Sequence, residues 1–303
     1  MLFFATDGTV KSTGLDKYRI QKRKGTGIAA INAGDEGTYP RFVAQVNSHD
    51  RVMMVTDQGN RYFINAYDVP STNRGNKGRP VADYVDAFED GEKVIAAFPM
   101  RRPDHDATFV VVCRNGLLKR LSLDTLYKMR ESTTKIQPVE ETGPIACVKI
   151  VDPSDDIFIA SAGGRLLRTK MSAVREMSNR LGKGIISLVL GDDDHVVGFD
   201  TVSDEDEILF VGEKGYGKRT DASNFMTKGR RGKGATCYGS GEGNRLVLAA
   251  TVRPEQELML ATDHNKVIRI SVSEIKQIAS PRSRGLSLKR MEGDETVTTA
   301  VCF

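Results

Sequence analysis

The chain is expected to form an all-β ring of six propeller-like blades, each of about four antiparallel strands, because three short signatures recur along it. An arginine stands four residues before a glycine in QKRKGTG, TNRGNKG, SNRLGKG and KGRRGKG, the pairs being Arg23 and Gly27, Arg74 and Gly78, Arg180 and Gly184, Arg230 and Gly234. A short apolar run, a turn and a basic residue recur six times, with turn residues Gly8, Gly59, Gly116, Gly164, Gly215 and Asn265. The third signature is a single apolar run: PRFVAQV, KVIAAF, PIACVKI, HVVGFDTV, RLVLAATV and TVTTAVCF. A fixed period of about fifty residues is the mark of a repeat architecture.

The second signature predicts six β-hairpins. Glycine and asparagine accept the positive φ of a tight turn, and the flanks are runs of Val, Ile, Leu, Phe and Thr four to six residues long. Each copy of the third signature precedes the hairpin of the next repeat except the last, Thr296 to Phe303, while the hairpin that starts at Leu2 has no such strand before it. The last strand is therefore expected to close onto the first blade, making residues 1–303 one ring with few exposed sheet edges. The start in mid-blade suggests a domain cut from a longer chain. The arginine-glycine segments are one element of this unit, eroded to Thr133 to Ile136 in the third repeat and shifted to Arg282 to Gly285 in the sixth.

Composition bounds the function. No run approaches the roughly 20 apolar residues of a membrane-spanning helix, and MLFFATDG is too short for a signal peptide. Cys113, Cys147, Cys237 and Cys302 lie scattered in strands without a CxxC pair, which reads as buried small residues in a reducing compartment. His49, His105, His195 and His264 stand dozens of residues apart, so neither a metal site nor a general base is expected. GEKGYGK, Gly212 to Lys218, imitates a phosphate loop, but Arg219 replaces the Ser or Thr that would meet magnesium, and no helix follows.

Charge is more informative. The net charge is only +4, from 44 basic and 40 acidic residues, yet the signs are sorted. Acids gather at Asp152 to Asp156, Asp192 to Asp194 and Asp204 to Glu207, beside the third signature, and are expected on a separate rim. Cations gather on the hairpins, at Lys11, Lys119, Arg120, Arg168, Lys218, Arg219 and Arg269. They gather again on the arginine-glycine segments: Arg19, Lys22, Arg23 and Lys24 in the first repeat, Arg74, Lys77 and Arg79 in the second, and Arg180 and Lys183 in the fourth. Lys228, Arg230, Arg231 and Lys233 follow in the fifth, and Arg282 and Arg284 in the sixth. Solvation of an edge requires only polar residues there. A recurrent register of cations suits the regularly spaced charges of a phosphate backbone, with adjacent glycines, Gly25 and Gly27 among them, offering main-chain donors. Aromatics are sparse and Trp is absent, so duplex contact is favoured over stacking on single strands. Wrapping would be repaid by many phosphate contacts and would be steeply salt dependent.

The first segment resembles the QRRGGKG box in the C-terminal domain of the bacterial DNA gyrase A subunit, matching at Gln21, Arg23, Gly25 and Gly27. VPSTNRGNKGRPV and KGYGKRT are similar to further stretches of that domain, and the resemblance runs from Leu2 to Phe303. It implies a β-pinwheel, a six-bladed domain that binds and wraps double-stranded DNA on its outer rim so that a type IIA topoisomerase introduces negative supercoils. It also implies partners, the rest of the A subunit together with the B subunit in a heterotetramer, and a bacterial cytoplasmic location. No catalytic residue or cofactor is expected in this chain, since the family holds its catalytic tyrosine, its ATP site and its magnesium in other domains. The A subunit of topoisomerase IV shares the fold with a degraded box. The six repeats and KGYGKRT favour gyrase, and the eroded first box, with Lys24 in place of a glycine, favours topoisomerase IV. A propeller used as a protein-interaction platform is the remaining alternative, since fold alone does not choose among them.

Overall fold

Six antiparallel hairpins form where the turn residues place them. They pair Leu2–Ala5 with Thr9–Ser12, Arg51–Thr56 with Arg61–Asn65, Thr108–Cys113 with Leu117–Ser122, Asp156–Ser161 with Arg165–Lys170, Glu207–Gly212 with Tyr216–Asp221, and Glu257–Thr262 with Lys266–Ser271. The six turn residues all have positive φ, from 55° at Asn265 to 85° at Gly116, the backbone that glycine and asparagine accept most readily. This computed structural model describes the chain except residues 19, 26–27, 30–39, 74, 101–106, 131–133 and 242, and only the backbone of Ile28, Ala29 and Pro40.

A third strand flanks each hairpin on the inside: Pro40–Ala44, Val94–Pro99, Ile145–Val151, Val196–Thr201, Leu246–Val252 and Val297–Cys302. Each pairs with the first strand of the hairpin that precedes it in sequence, and a bulge displaces the register at the end of all six pairings. These strands are the third signature, so that signature completes its own repeat and does not open the next one. The last strand accordingly hydrogen-bonds to Leu258–Thr262 of the sixth blade, which corrects the expectation that it pairs with the first. It does lie beside Pro40–Ala44, and the inner strands of neighbouring blades touch one another around the whole circle.

Closure is the work of a fourth, outer strand exchanged between repeats. Arg79–Pro80, Ile185–Ile186, Ala235–Thr236 and Leu286–Ser287 each add to the hairpin of the preceding repeat, and Ile28–Ala29 of the first repeat adds to Lys266 and Val267 of the sixth. The second blade has three strands among the described residues, and a single bridge from Lys135 to Asn60 stands in for the fourth. The degenerate third copy of the segment thus coincides with the blade that shows no outer strand among the described residues.

The hydrophobic core is divided into six clusters, one between each pair of neighbouring blades. Leu2 and Phe4 face the second blade, whereas Phe3 joins Met259 and Val267 of the sixth. A first strand is covered on both faces, so LFFA, VMMV and FVVV are continuously apolar where a one-sided strand would alternate. Val301 and Phe303 pack in the sixth cluster with Phe3 and Val43, so the C-terminus seals the ring by side-chain contact.

Candidate nucleic-acid interface

The hairpin cations do not face outward together. Lys11, Lys119, Lys218 and Arg168 are buried, and Arg219 and Arg269 retain little exposure. Each donates to a main-chain carbonyl of the next repeat, and Lys119 also to one of its own. Lys11 Nζ lies 3.1 Å from Asn76 O, Lys119 Nζ 2.8 Å from Ile136 O and 2.6 Å from Arg180 O, and Lys218 Nζ 2.6 Å from Ser280 O. The arginines reach the short helical turn that follows the next hairpin: Arg168 to Ala222 O and Phe225 O, Arg219 to Ile275 O, Arg269 to Leu15 O and Tyr18 O. Arg61 does the same to Leu126 O, Met129 O and Arg130 O. Every junction of the ring is therefore tied by at least one hairpin cation.

This corrects the reading of Lys11, Lys119, Arg168, Lys218, Arg219 and Arg269 as phosphate contacts. The carbonyls ending a helical turn lack partners of their own and carry partial negative charge, so a cation from the neighbouring blade satisfies them. Carboxylates complete the arrangement: Arg168 Nη1 bonds Asp204 at 2.6 Å, Arg219 pairs with Glu207, and Arg269 with Glu257. Arg120 is also half-buried, its Nε and Nη1 without partners among the described residues. Arg61 escapes sequence reasoning because it follows its turn glycine by two residues, outside the register of the others.

The acids do not occupy one rim. The runs 152–156 and 204–207 follow inner strands and 192–194 precedes one, so they divide between the two ends of these strands. Several brace turns: Asp194 accepts from Ser161 Oγ at 2.6 Å, Glu92 from Thr56, Asn60 and Tyr62, and Glu295 from Thr262 and Lys289.

The arginine-glycine segments are different. They cross the outer edge, and their closing glycines seat against the preceding hairpin. A Cβ at Gly184 or Gly234 would stand 2.8 Å from the carbonyl oxygen of Leu118 or Leu166, and one at Gly285 2.0 Å from that of Gly217. These glycines thus serve close approach to the neighbouring blade, where a phosphate contact was expected of them. Their cations point away: Lys22, Lys24, Lys77, Arg79, Lys183, Lys228, Arg230, Arg231, Lys233, Arg282 and Arg284 are exposed, and Arg23 and Arg180 are partly so, whereas the amide nitrogen of the neutral Gln21 is buried. Arg284 lies over the Tyr216 ring at 4.3 Å. Lys77 pairs with Asp7 at 3.3 Å and Lys183 with Glu141 at 2.7 Å. The side chains of Lys22, Arg23, Lys24, Lys228, Arg230, Arg231 and Lys233 have no partner among the described residues. Arg19, Gly27, Arg74 and Thr133, singled out from the sequence, lie outside the described residues.

Successive segments also join through their main chains. Arg231 N–H donates to Ser187 O, Gly239 N–H to Ser283 O and Lys24 N–H to Leu288 O, linking the fourth, fifth, sixth and first repeats in order. Lys24 and Arg231 hold φ of 67° and 65°. Lys24 stands at the first glycine of the QRRGGKG pattern, and its backbone keeps a conformation that glycine would favour.

The remaining chemistry is structural. Gly212 to Lys218 is a hairpin turn with its lysine buried, as its lack of a following helix predicts. Burial pushes the thiols of Cys147, Cys237 and Cys302 up to about 12, which suits packing rather than reactivity. His105 lies outside the described residues. Among those described, no group of three or more His, Cys, Asp or Glu is placed to hold a metal ion.

A closed ring of six blades that exchange outer strands, with cationic loops on the exchanged edge, defines a strand-swapped β-propeller. The chain belongs to the family described as DNA gyrase C-terminal domain, beta-propeller, which matches residues 1–38, 50–99, 155–203, 206–236 and 256–303. It is 30% identical to the DNA gyrase A subunit of Salmonella typhimurium over 291 residues and 26% identical to that of Metamycoplasma arthritidis over 305, covering 96% and 100% of this chain. It spans only 33% and 34% of those relatives. In fold it is similar to a DNA gyrase A C-terminal domain, with a TM-score of 0.85 at 21% identity over 100% of this chain and 98% of that one. It is also similar to the C-terminal domain of a DNA topoisomerase IV, with a TM-score of 0.72 at 18% identity over 99% and 92%.

Proposed function

We propose that this ring binds duplex DNA along its outer edge and bends it, as a non-catalytic domain of a gyrase-type A subunit. The observation that carries this reading is the set of seven cations without partners among the described residues, Lys22, Arg23, Lys24, Lys228, Arg230, Arg231 and Lys233, on loops whose main chains are joined from blade to blade. Cations left unpaired on an outer edge are suited to phosphates, whereas a protein-interaction platform would need an apolar or mixed-charge face. The names of the relatives favour gyrase over topoisomerase IV, and the left-handed backbone at Lys24 supports a working box despite the missing glycine.

In this reading the wrap presents a DNA segment of fixed crossing sign to the cleavage core, formed by the rest of the A subunit with the B subunit, within the bacterial cytoplasm. ATP and magnesium act in those other parts. If all seven cations meet phosphates, the slope of log K against log salt is about −6, and affinity falls roughly 10⁴-fold between 50 and 200 mM salt. The test ligates nicked relaxed plasmid in the presence of this chain and reads the linking number. A uniform positive shift is expected. Binding without a shift would reduce the domain to a DNA-binding module, and no binding at 50 mM salt would overturn the reading.

A further inference from the structure

The rim segments are held in two ways. Segments of the second, third, fourth and sixth repeats each receive a buried ammonium, from Lys11 to Asn76 O, Lys119 to both Ile136 O and Arg180 O, and Lys218 to Ser280 O. Segments of the first and fifth repeats dock on hairpins that carry Ile268 and Leu167 at the position of those lysines. A Cβ at Gly25 would stand 3.0 Å from Ile268 Cδ1, and one at Gly232 3.2 Å from Leu167 Cδ1. Lys77 of the second segment and Lys183 of the fourth pair with Asp7 and Glu141, and Arg284 of the sixth lies over the Tyr216 ring, whereas the cations of the first and fifth segments have no partners among the described residues.

We propose that Lys11, Lys119 and Lys218 are positioning residues for DNA bending. Their ammonium groups lock the rim segments they reach in one conformation, so duplex running round the ring meets rigid supports beside the more pliable first and fifth loops that carry the unpaired charge. The inference rests on the DNA-binding reading above. Its chemistry follows from the donors: each ammonium is buried and donates to main-chain carbonyls inside the fold, out of reach of a phosphate. Burial pushes Lys119 and Lys218 down to about 8, as expected for charges facing carbonyls without a carboxylate beside them. Opening such a segment strips the ammonium of its acceptors, which makes the locked conformation the low-energy one.

Amide hydrogen exchange on the unmodified chain is the first test, and needs no variant. Peptides covering 179–184 and 280–285 are expected to exchange at least tenfold more slowly than 228–234, and equal rates would overturn the proposal. Lys119→Met should accelerate 179–184 tenfold or more and leave 280–285 unchanged, with Lys218→Met doing the reverse. Both variants should lower the bend read by energy transfer between duplex ends while keeping the salt slope. A slope reduced by about 0.9 in either variant would assign that lysine to a phosphate and refute its positioning role. If the unmodified chain bound no duplex, the DNA reading and the role in bending would fall together, while the exchange rates would still decide whether the lysines lock the segments.

Discussion

Replacing Arg269 with alanine is expected to open the ring at its closing junction. The guanidinium donates to Tyr18 O at 2.6 Å and Leu15 O at 3.2 Å, residues more than 250 positions away in sequence, and pairs with Glu257. It also lies 5.9 Å from the centre of the Phe303 ring. Alanine removes two charge-assisted hydrogen bonds, each worth about 1.5–3 kcal/mol, and leaves a largely buried carboxylate uncompensated. Breaking a buried pair on one side costs about 3–5 kcal/mol. A chain of 303 residues has an unfolding entropy of roughly 0.6 kcal/mol/K, so a loss of about 4 kcal/mol lowers Tm by about 6 °C if the ring melts as a unit. Circular dichroism melts measure the shift, and hydrogen exchange at 20–25 and 28–29 locates it. A Tm within about 1 °C of the parent, with unchanged exchange in those stretches and weaker DNA binding, would show that Arg269 serves the interface and refute the tie.

The exposed segments should behave in the opposite way. Alanine at Arg230, Arg231 and Lys233 together should leave Tm within about 1 °C while reducing the salt slope by about 2.7, read from fluorescence titrations of a short duplex at several salt concentrations. Gly285→Ala would bring a Cβ within 2.0 Å of Gly217 O at a φ of 88°, and a loss of about 2 kcal/mol or more in urea unfolding is expected. Burial pushes Lys218 from its ordinary 10.5 to about 8, so the folded chain binds fewer protons than the unfolded one between those values. Stability should therefore rise with pH across that window, by on the order of 3 kcal/mol from this residue. Urea midpoints at pH 7.5 and 10 should show a smaller rise in Lys218→Met, and an equal rise in both proteins would remove Lys218 as its source.

Much of the ring is legible in the sequence because its elements are local. A turn glycine between two short apolar runs specifies a hairpin whatever surrounds it, and all six form where Gly8 through Asn265 place them. The phase of the third strand is not legible, because PRFVAQV lies between two hairpins and periodicity does not say which one it joins. The pairing of Pro40–Ala44 with Leu2–Ala5 decides it. The rim is legible in part. Lys228 and Arg230 are exposed as their polar surroundings suggest, but Lys119 and Arg168 follow the same charge pattern and are buried.

By itself, the sequence determined the number of blades, the hairpins and the segments that carry charge, since each follows from residue type and spacing within a single repeat. Only the tertiary structure decided which cations are available to a ligand. A lysine or arginine has the same charge wherever it stands, and its role depends on whether solvent or a carbonyl from the next blade surrounds it. Closure by Ile28–Ala29 and the tie from Arg269 to Tyr18 belong to the same class, because both join residues at opposite ends of the chain.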